Sequence, residues 1–252
     1  MKSLNKTVNI ITAIFLAVGF WQIGIWVTDI EEALFPPPLD VAQAIVSLFA
    51  DGTIFEHIGI SMFRFLSGYL SAALLAIILG LILGRMTYLW NVVDPIVQVL
   101  RPVAPIAWSP FIVLWFGIGS APAIVIIFIA AFFPILLTTV SGVKKVDETY
   151  LKLARNLEIR QPSLMWKIIF PAAFPAIASG LHIGVGTAWI FLVSGEMVGA
   201  QSGLGYLIVD ARNLLRLDLV LAGIILIGIS GLLLDRMIGL LEKWIEKQWG
   251  ML

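Results

Sequence analysis

The side chains able to do chemistry in this chain are few, and they sit in apolar surroundings. Arg64, Thr138, Thr139, His182, Thr187, Trp189, Ser194 and Glu196 all fall in or at the edge of long apolar runs. Polar groups in such runs normally face a protein interior or a water-filled cavity. Metal chemistry needs clustered ligands, and covalent catalysis needs a nucleophile beside a base. The chain has two histidines (His57 and His182), no cysteine and no paired carboxylates in its apolar runs, so neither constellation can be assembled. It also lacks a G-x-x-x-x-G-K-[ST] phosphate loop.

Arg64, Trp108, Thr138, His182, Trp189, Ser194 and Glu196 are the candidates to line such an interior or cavity, and so a translocation path if the chain has one. Each also has a plainer role. Arg64 lies where it can snorkel to lipid headgroups. His182 fits a buried, hydrogen-bonded residue. The hydroxyls of Thr138, Thr139, Thr187 and Ser194 can bond to their own helix backbone. Trp108, Trp115 and Trp189 can fill space or join an aromatic belt. Glu196 would disfavour a free anion beside it, so it calls for a partner, Arg212 or Arg64, or for a gating role.

The elements that must position these residues are membrane helices. The 252 residues are 60% hydrophobic and 13% charged, with a mean hydropathy of +1.01; soluble domains are about 45–50% apolar and about 25% charged. The apolar runs are continuous, which fits helices and not a barrel. Spans are expected at roughly 8–27, 65–84, 105–117, 121–140, 177–198 and 219–241. The first reads as a retained span and not a removable signal peptide. The third is short and carries Pro105 and Pro110; it is either a broken helix or one that starts earlier, near 92–100. Between the first two spans, Pro36-Pro37-Pro38 leads into Val41, Ile45, Leu48 and Phe49 at helical spacing, the pattern of a short interfacial helix. One membrane domain covers 1–252, with its core over 58–241.

Charge orients the spans. With an even span count, all Lys and Arg except Arg64, Arg212 and Arg216 fall on one side. The positive-inside rule makes that side cytoplasmic, with both termini on it. Zero net charge gives no sign of nucleic-acid binding.

The same side carries the basic segment Lys144–Lys167, with Lys144, Lys145, Lys152, Arg155, Arg160 and Lys167. Tyr150, Leu153, Ala154 and Leu157 repeat at i, i+3, i+4 and i+7. After Pro162, the residues Leu164, Met165, Ile168 and Ile169 share a second face. The pattern predicts helix, turn, helix over 144–170, with Pro171 and Pro175 hinging it to the fifth span. Taken alone, the segment reads either as a docking surface or as a polar loop anchored to headgroups.

These residues resemble the cytoplasmic signature of bacterial ABC importer permeases, closest to the nitrate/sulfonate/taurine/bicarbonate group. The resemblance rests on Lys152-Leu153-Ala154-Arg155-Asn156-Leu157-Glu158 and on Lys167 through Phe174-Pro175. It continues through Gly180 and Gly184 to Thr187-Ala188-Trp189, Glu196-Met197-Val198-Gly199 and Ser202-Gly203-Leu204-Gly205-Tyr206. Upstream it takes in Leu34 to Pro38, Ser61 to Arg64, Arg101 to Pro105 and Trp115 to Gly119.

The resemblance implies an all-α type I importer permease with about six transmembrane helices in the bacterial inner membrane. Its implied partners are a second copy of itself, two cytoplasmic ATPase subunits and an extracytoplasmic solute-binding protein. ATP and magnesium would sit on the ATPase, with no cofactor on this chain. Leu153, Ala154, Arg155, Leu157, Glu158, Pro171 and Pro175 would couple to the ATPase. The chain departs from the family pattern at Lys152, Leu153 and Glu158. The last stands where the family has a glycine at a bend, and a left-handed glutamate costs on the order of 1 kcal/mol. The bend therefore takes another backbone path, or the first helix runs longer.

Four readings follow: an importer for a small anion, an importer for a heterocyclic vitamin precursor of thiamine or riboflavin type, a stand-alone carrier, and an intramembrane enzyme. The chain shows neither the ion sites and inverted repeat of the third nor the constellation of the fourth.

Overall fold

A computed structural model of the chain describes residues 2–28, 34–159 and 163–248. Among them there is no strand. The elements are α1 (Lys2–Thr28), α2 (Pro38–Ala50), α3 (Thr53–Arg85), α4 (Thr87–Leu100) and α5 (Ser109–Phe116), the last entered through a 3-10 turn at Pro105–Trp108. Then come α6 (Ser120–Lys144), α7 (Glu148–Asn156), α8 (Phe170–Gly199), α9 (Leu204–Asn213) and α10 (Leu217–Gln248).

Four stretches are long and apolar enough to cross a membrane: Thr53–Arg85, Ser120–Lys144, Met165–Gly199 and Leu217–Leu240. A fifth crossing results if Thr87–Leu100 and Pro105–Phe116 count together, although they meet at an 86° bend. Both options for the third span are thus realised, an earlier start and a break. The break has a local cause. Pro102 and Pro105 lack the N–H groups a continuing helix would use, and Pro105 and Pro110 each restart a helix at its first turn. The apolar stretch of α1, Thr12–Val27, falls short of a full crossing.

At the centre, α6 is sandwiched between α3 and α8. Ile126, Ile127, Ala131 and Ile135 of α6 are fully buried there. Glycine makes the approach possible. A Cβ on Gly80 or Gly84 of α3 would stand 2.6 Å from the Cβ of Thr139 or Val143 of α6, and one on Gly180 of α8 would overlap the Thr138 side chain. Gly80 with Gly84 on α3, and Gly180 with Gly184 on α8, therefore serve packing within the chain. A methyl at these positions costs about 1–3 kcal/mol through overpacking.

The short helix after the prolines is α2, with Pro38 in its first turn. It lies against α10. Val41, Ala44 and Leu48 are its buried stripe, whereas Phe49 points outward.

The 144–170 segment departs from the expected helix–turn–helix with a proline hinge. Its first helix is α7, capped by Asp147, whose Oδ1 accepts the Thr149 N–H at 2.8 Å. Its second part is not separate. The π-helical turn Met165–Ile169 runs straight into α8, with Pro171 in the first turn and Pro175 inside the helix. The π turn fits the prolines: the Phe170 N–H reaches back five residues to the Met165 carbonyl, just before Pro171 supplies no N–H at all. Arg160 and Pro162, and the side chain of Arg155, lie outside the described residues.

Candidate functional site

Two candidate residues come together at the end of the bundle that holds the 200–205 loop. Arg64 on α3 and Glu196 on α8 form an ion pair at 2.8 Å. Their relative exposures are 2% and 1%, so Arg64 is buried and does not snorkel. Arg212 is not the partner of Glu196.

The local sequence explains why the pair survives burial. Ser61 lies three residues before Arg64, on the same face of α3, and its Oγ donates to the Glu196 carboxylate at 2.8 and 2.9 Å. That Oγ also accepts the Leu204 N–H at 2.8 Å. The Gly205 N–H, in the first turn of α9, donates to Glu196 Oε2 at 2.8 Å, where a helix N-terminus favours negative charge. Arg64 also donates to Ser120 Oγ at 3.0 Å, the Ser202 carbonyl at 2.6 Å and Ser202 Oγ at 2.8 Å. The Gly203 N–H donates to His57 Nδ1 at 3.0 Å, which assigns the His57 proton to Nε2 when the ring is neutral. Among the described residues, the only buried side-chain polar atom without a partner is Trp21 Nε1, outside this cluster.

Gly203 and Gly205 are required by this geometry. Gly203 has φ +101°, and a Cβ there would overlap the Glu196 carboxylate; one on Gly205 would stand 2.8 Å from Glu196 Cβ. The Ser202–Gly205 loop thus wraps a carboxylate. Nothing in the sequence singled out Ser61, Ser120, His57 or the loop amides as its partners, although Ser61 and Arg64 at i, i+3 and the paired glycines were the available signals.

The other path candidates do not join this cluster. Thr138, Thr139, Thr187 and Ser194 donate to helix carbonyls three or four residues back. Trp189 packs edge-on to Phe65 and its Nε1 donates to the Ile227 carbonyl at 3.3 Å. His182 is half-exposed and not buried; its Nε2 lies 3.4 Å from Asp235 of α10. Trp108 ends the 3-10 turn, half-buried. Of all these candidates only Thr138 and Thr187 border the groove between α6 and α8, a space of about 580 Å³ with a mixed polar and apolar lining.

At the opposite end, Ala154 is buried in a small core with Leu164, Ile169 and Ala173. Tyr150, Leu153 and Leu157 are 54–63% exposed, so the stripe of α7 is open apart from Ala154. Contrary to both expectations, Glu158 itself adopts the left-handed conformation, at φ +53°, and α7 ends at Asn156. The Ile159 N–H bonds back to the Ala154 carbonyl at 2.9 Å, closing α7 in a Schellman motif. The bend expected of a glycine is made here by glutamate. The Thr149 amide also holds the Asp147 carboxyl below its ordinary value.

The sequence was compared with known proteins. The model of a family described as binding-protein-dependent transport system inner membrane component matches residues 72–247. A taurine transport system permease protein of Escherichia coli is 33% identical over 238 residues, 92% of this chain and 86% of that protein. A putative aliphatic sulfonates transport permease of Bacillus subtilis is 34% identical, over 91% of this chain and 83% of that protein. A nitrate import permease of Synechocystis is 33% identical, over 94% and 89%. Among solved structures, a chain of the MetNI methionine ABC transporter in an inward-facing conformation superposes with a TM-score of 0.52 at 21% identity, over 74% of this chain and 94% of that one. That last likeness concerns the fold.

Proposed function

Because the chain belongs to the family of binding-protein-dependent transport system inner membrane components, and is thus a permease subunit of an ABC importer, we propose that its cargo is a small oxyanion of the sulfonate or nitrate type. The observation that carries this is the similarity, over nine-tenths of the chain, to permeases named for taurine, aliphatic sulfonates and nitrate. In this reading two copies form the pathway and both termini face the cytoplasm. An extracytoplasmic binding protein delivers the anion. Two cytoplasmic ATPase subunits hold ATP and magnesium, and this chain holds no cofactor.

The exposed side chains Tyr150, Leu153 and Leu157, with Arg155 and the Glu158 turn, are the ATPase-docking surface. An open apolar stripe on a segment outside the membrane-spanning helices, where lipid does not cover it, calls for a partner. The π turn, Pro171 and Pro175 pass its displacement into α8. Arg64 and Glu196 act as a structural clasp at the opposite end, not as an anion site, since four of the five guanidinium N–H donors are already engaged within the protein and its charge is paired with Glu196.

The experiment is reconstitution with candidate ATPase and binding-protein subunits, followed by ATP hydrolysis in the presence of taurine, nitrate or thiamine. Stimulation by taurine or nitrate is expected. Stimulation by thiamine alone would replace the anion reading with the vitamin-precursor reading, and transport by this chain unaided would overturn both.

A further inference from the structure

The groove between α6 and α8 is built from two matched helical stripes. On α6 they are Pro134, Leu137, Thr138 and Ser141, continued by Lys145 just past its end; on α8, Ala176, Ser179, Ile183 and Thr187. Each stripe spans eleven residue steps, so the groove runs for about 16 Å along the bundle. Arg101, which ends α4 just before the broken span turns, closes it at the Lys145 end. Its chemistry is one-sided. Thr138 and Thr187 give their hydroxyl protons to backbone carbonyls. Ser141 and Ser179 are exposed and have no side-chain hydrogen bond among the described residues. No Asp or Glu lines the groove, and neither Arg101 nor Lys145 has an ion-pair partner among the described residues. The adjacent Lys144 makes the contrast plain: it lies over the Trp90 ring at 4.9 Å, while Lys145 borders the groove.

We propose that this groove is the anion-conducting wall of the permease, with Ser141 and Ser179 as free donors along it and Arg101 and Lys145 as the residues that select for negative charge at its end. The proposal rests on the anion-importer reading above. Unpaired cations at the end of a passage attract anions and repel cations. At a partly shielded site the local anion concentration rises about tenfold or more.

The absence of cysteine gives a direct test. Ser141→Cys and Ser179→Cys are made in the full chain, expressed with its ATPase, in membranes. Each is treated with an anionic sulfonatoethyl or a cationic trimethylammonioethyl methanethiosulfonate, with rates normalised to a small free thiol. Both positions should react, the anionic reagent faster by about tenfold, with the preference lost in R101Q/K145Q. No reaction at either position, while Ser163→Cys in the exposed insert reacts, overturns the proposal, as does reaction without charge preference. Uptake of labelled taurine and nitrate is the second arm. R101Q/K145Q should lower Vmax about tenfold with KM unchanged, and R101K/K145R should restore it. An anion-transporting wild type whose neutralised variant, at equal membrane abundance, stays within about twofold overturns the groove alone. A wild type that keeps the labelling preference but imports neither anion overturns the cargo reading and leaves the groove supported.

Discussion

The two ends of this molecule carry charge in opposite ways. At the clasp end, Arg64 and Glu196 are withdrawn from water and every contact is answered by a second one: serine hydroxyls, loop amides and a helix N-terminus. At the α7 end the Glu148–Lys152 pair is exposed at 3.4 Å, and the helix is held by its two terminal turns and one buried alanine. A buried pair tolerates no partial loss, because removing one partner strands a charge; an exposed pair contributes little. The first arrangement fixes the relation of α3, α8 and the 200–205 loop, and the second leaves a segment free to be moved by what docks on it.

Substitutions at three places, the clasp, Glu158 and Asp147, probe that contrast in falling order of effect. Arg64→Ala should cost about 3–5 kcal/mol and collapse the folded yield, measured as thermal unfolding of the detergent-solubilised protein. The paired change Arg64→Met with Glu196→Leu should recover most of the loss. Equal damage from the single and the paired change would mean that the loop amides, not the ion pair, organise this end.

Glu158→Gly should act in the other direction. It relieves about 1 kcal/mol of left-handed strain and should slow amide exchange at Leu157 and Ile159 about fivefold. Unchanged exchange would show that the turn is held by docking onto α8 and not by its own backbone.

The smallest effect belongs to Asp147. Its carboxyl titrates below the ordinary value because it accepts the Thr149 amide. The contribution is therefore full above the unfolded value and is lost as pH falls through the lower folded one. Acidification below about pH 4 should fray α7, read as increased exchange at Thr149 and Tyr150. Asp147→Ala should fray it at neutral pH and abolish the acid dependence. The clasp variants should not alter this profile.

Apolar run length located the long helices and the basic segment, because desolvation of a span is a property of composition. It placed their ends poorly. The spans expected at 65–84 and 177–198 begin about a dozen residues earlier, at Thr53 and Met165, since polar and proline-bearing turns extend a helix that is already nucleated. The proline hinge was wrong for the same reason: Pro171 in a first turn is compatible with a helix, and the π turn absorbs the mismatch. Glu196 was recognisable as needing a partner, and Arg64 was one of two residues considered. The cage around it was not visible, because Ser61, His57 and Ser120 are distant in sequence and become neighbours only once α3, α6 and α8 have packed. The role of Gly80, Gly84, Gly180 and Gly184 was likewise not legible in the sequence, because only the position of α6 shows which side chains each must meet.

The glycines that let α3, α6 and α8 meet backbone to backbone have a kinematic consequence. Helices separated by long side chains can slide, because rotamers re-sort as they pass. Here Gly80 and Gly84 meet the Cβ atoms of Thr139 and Val143, and Gly180 meets Thr138, with no flexible layer between them. A shift of a fraction of a turn would drive a backbone into a neighbouring Cβ. The three helices therefore move as one gear tooth, and whatever opens and closes this protein has to turn that tooth as a whole against a neighbouring body.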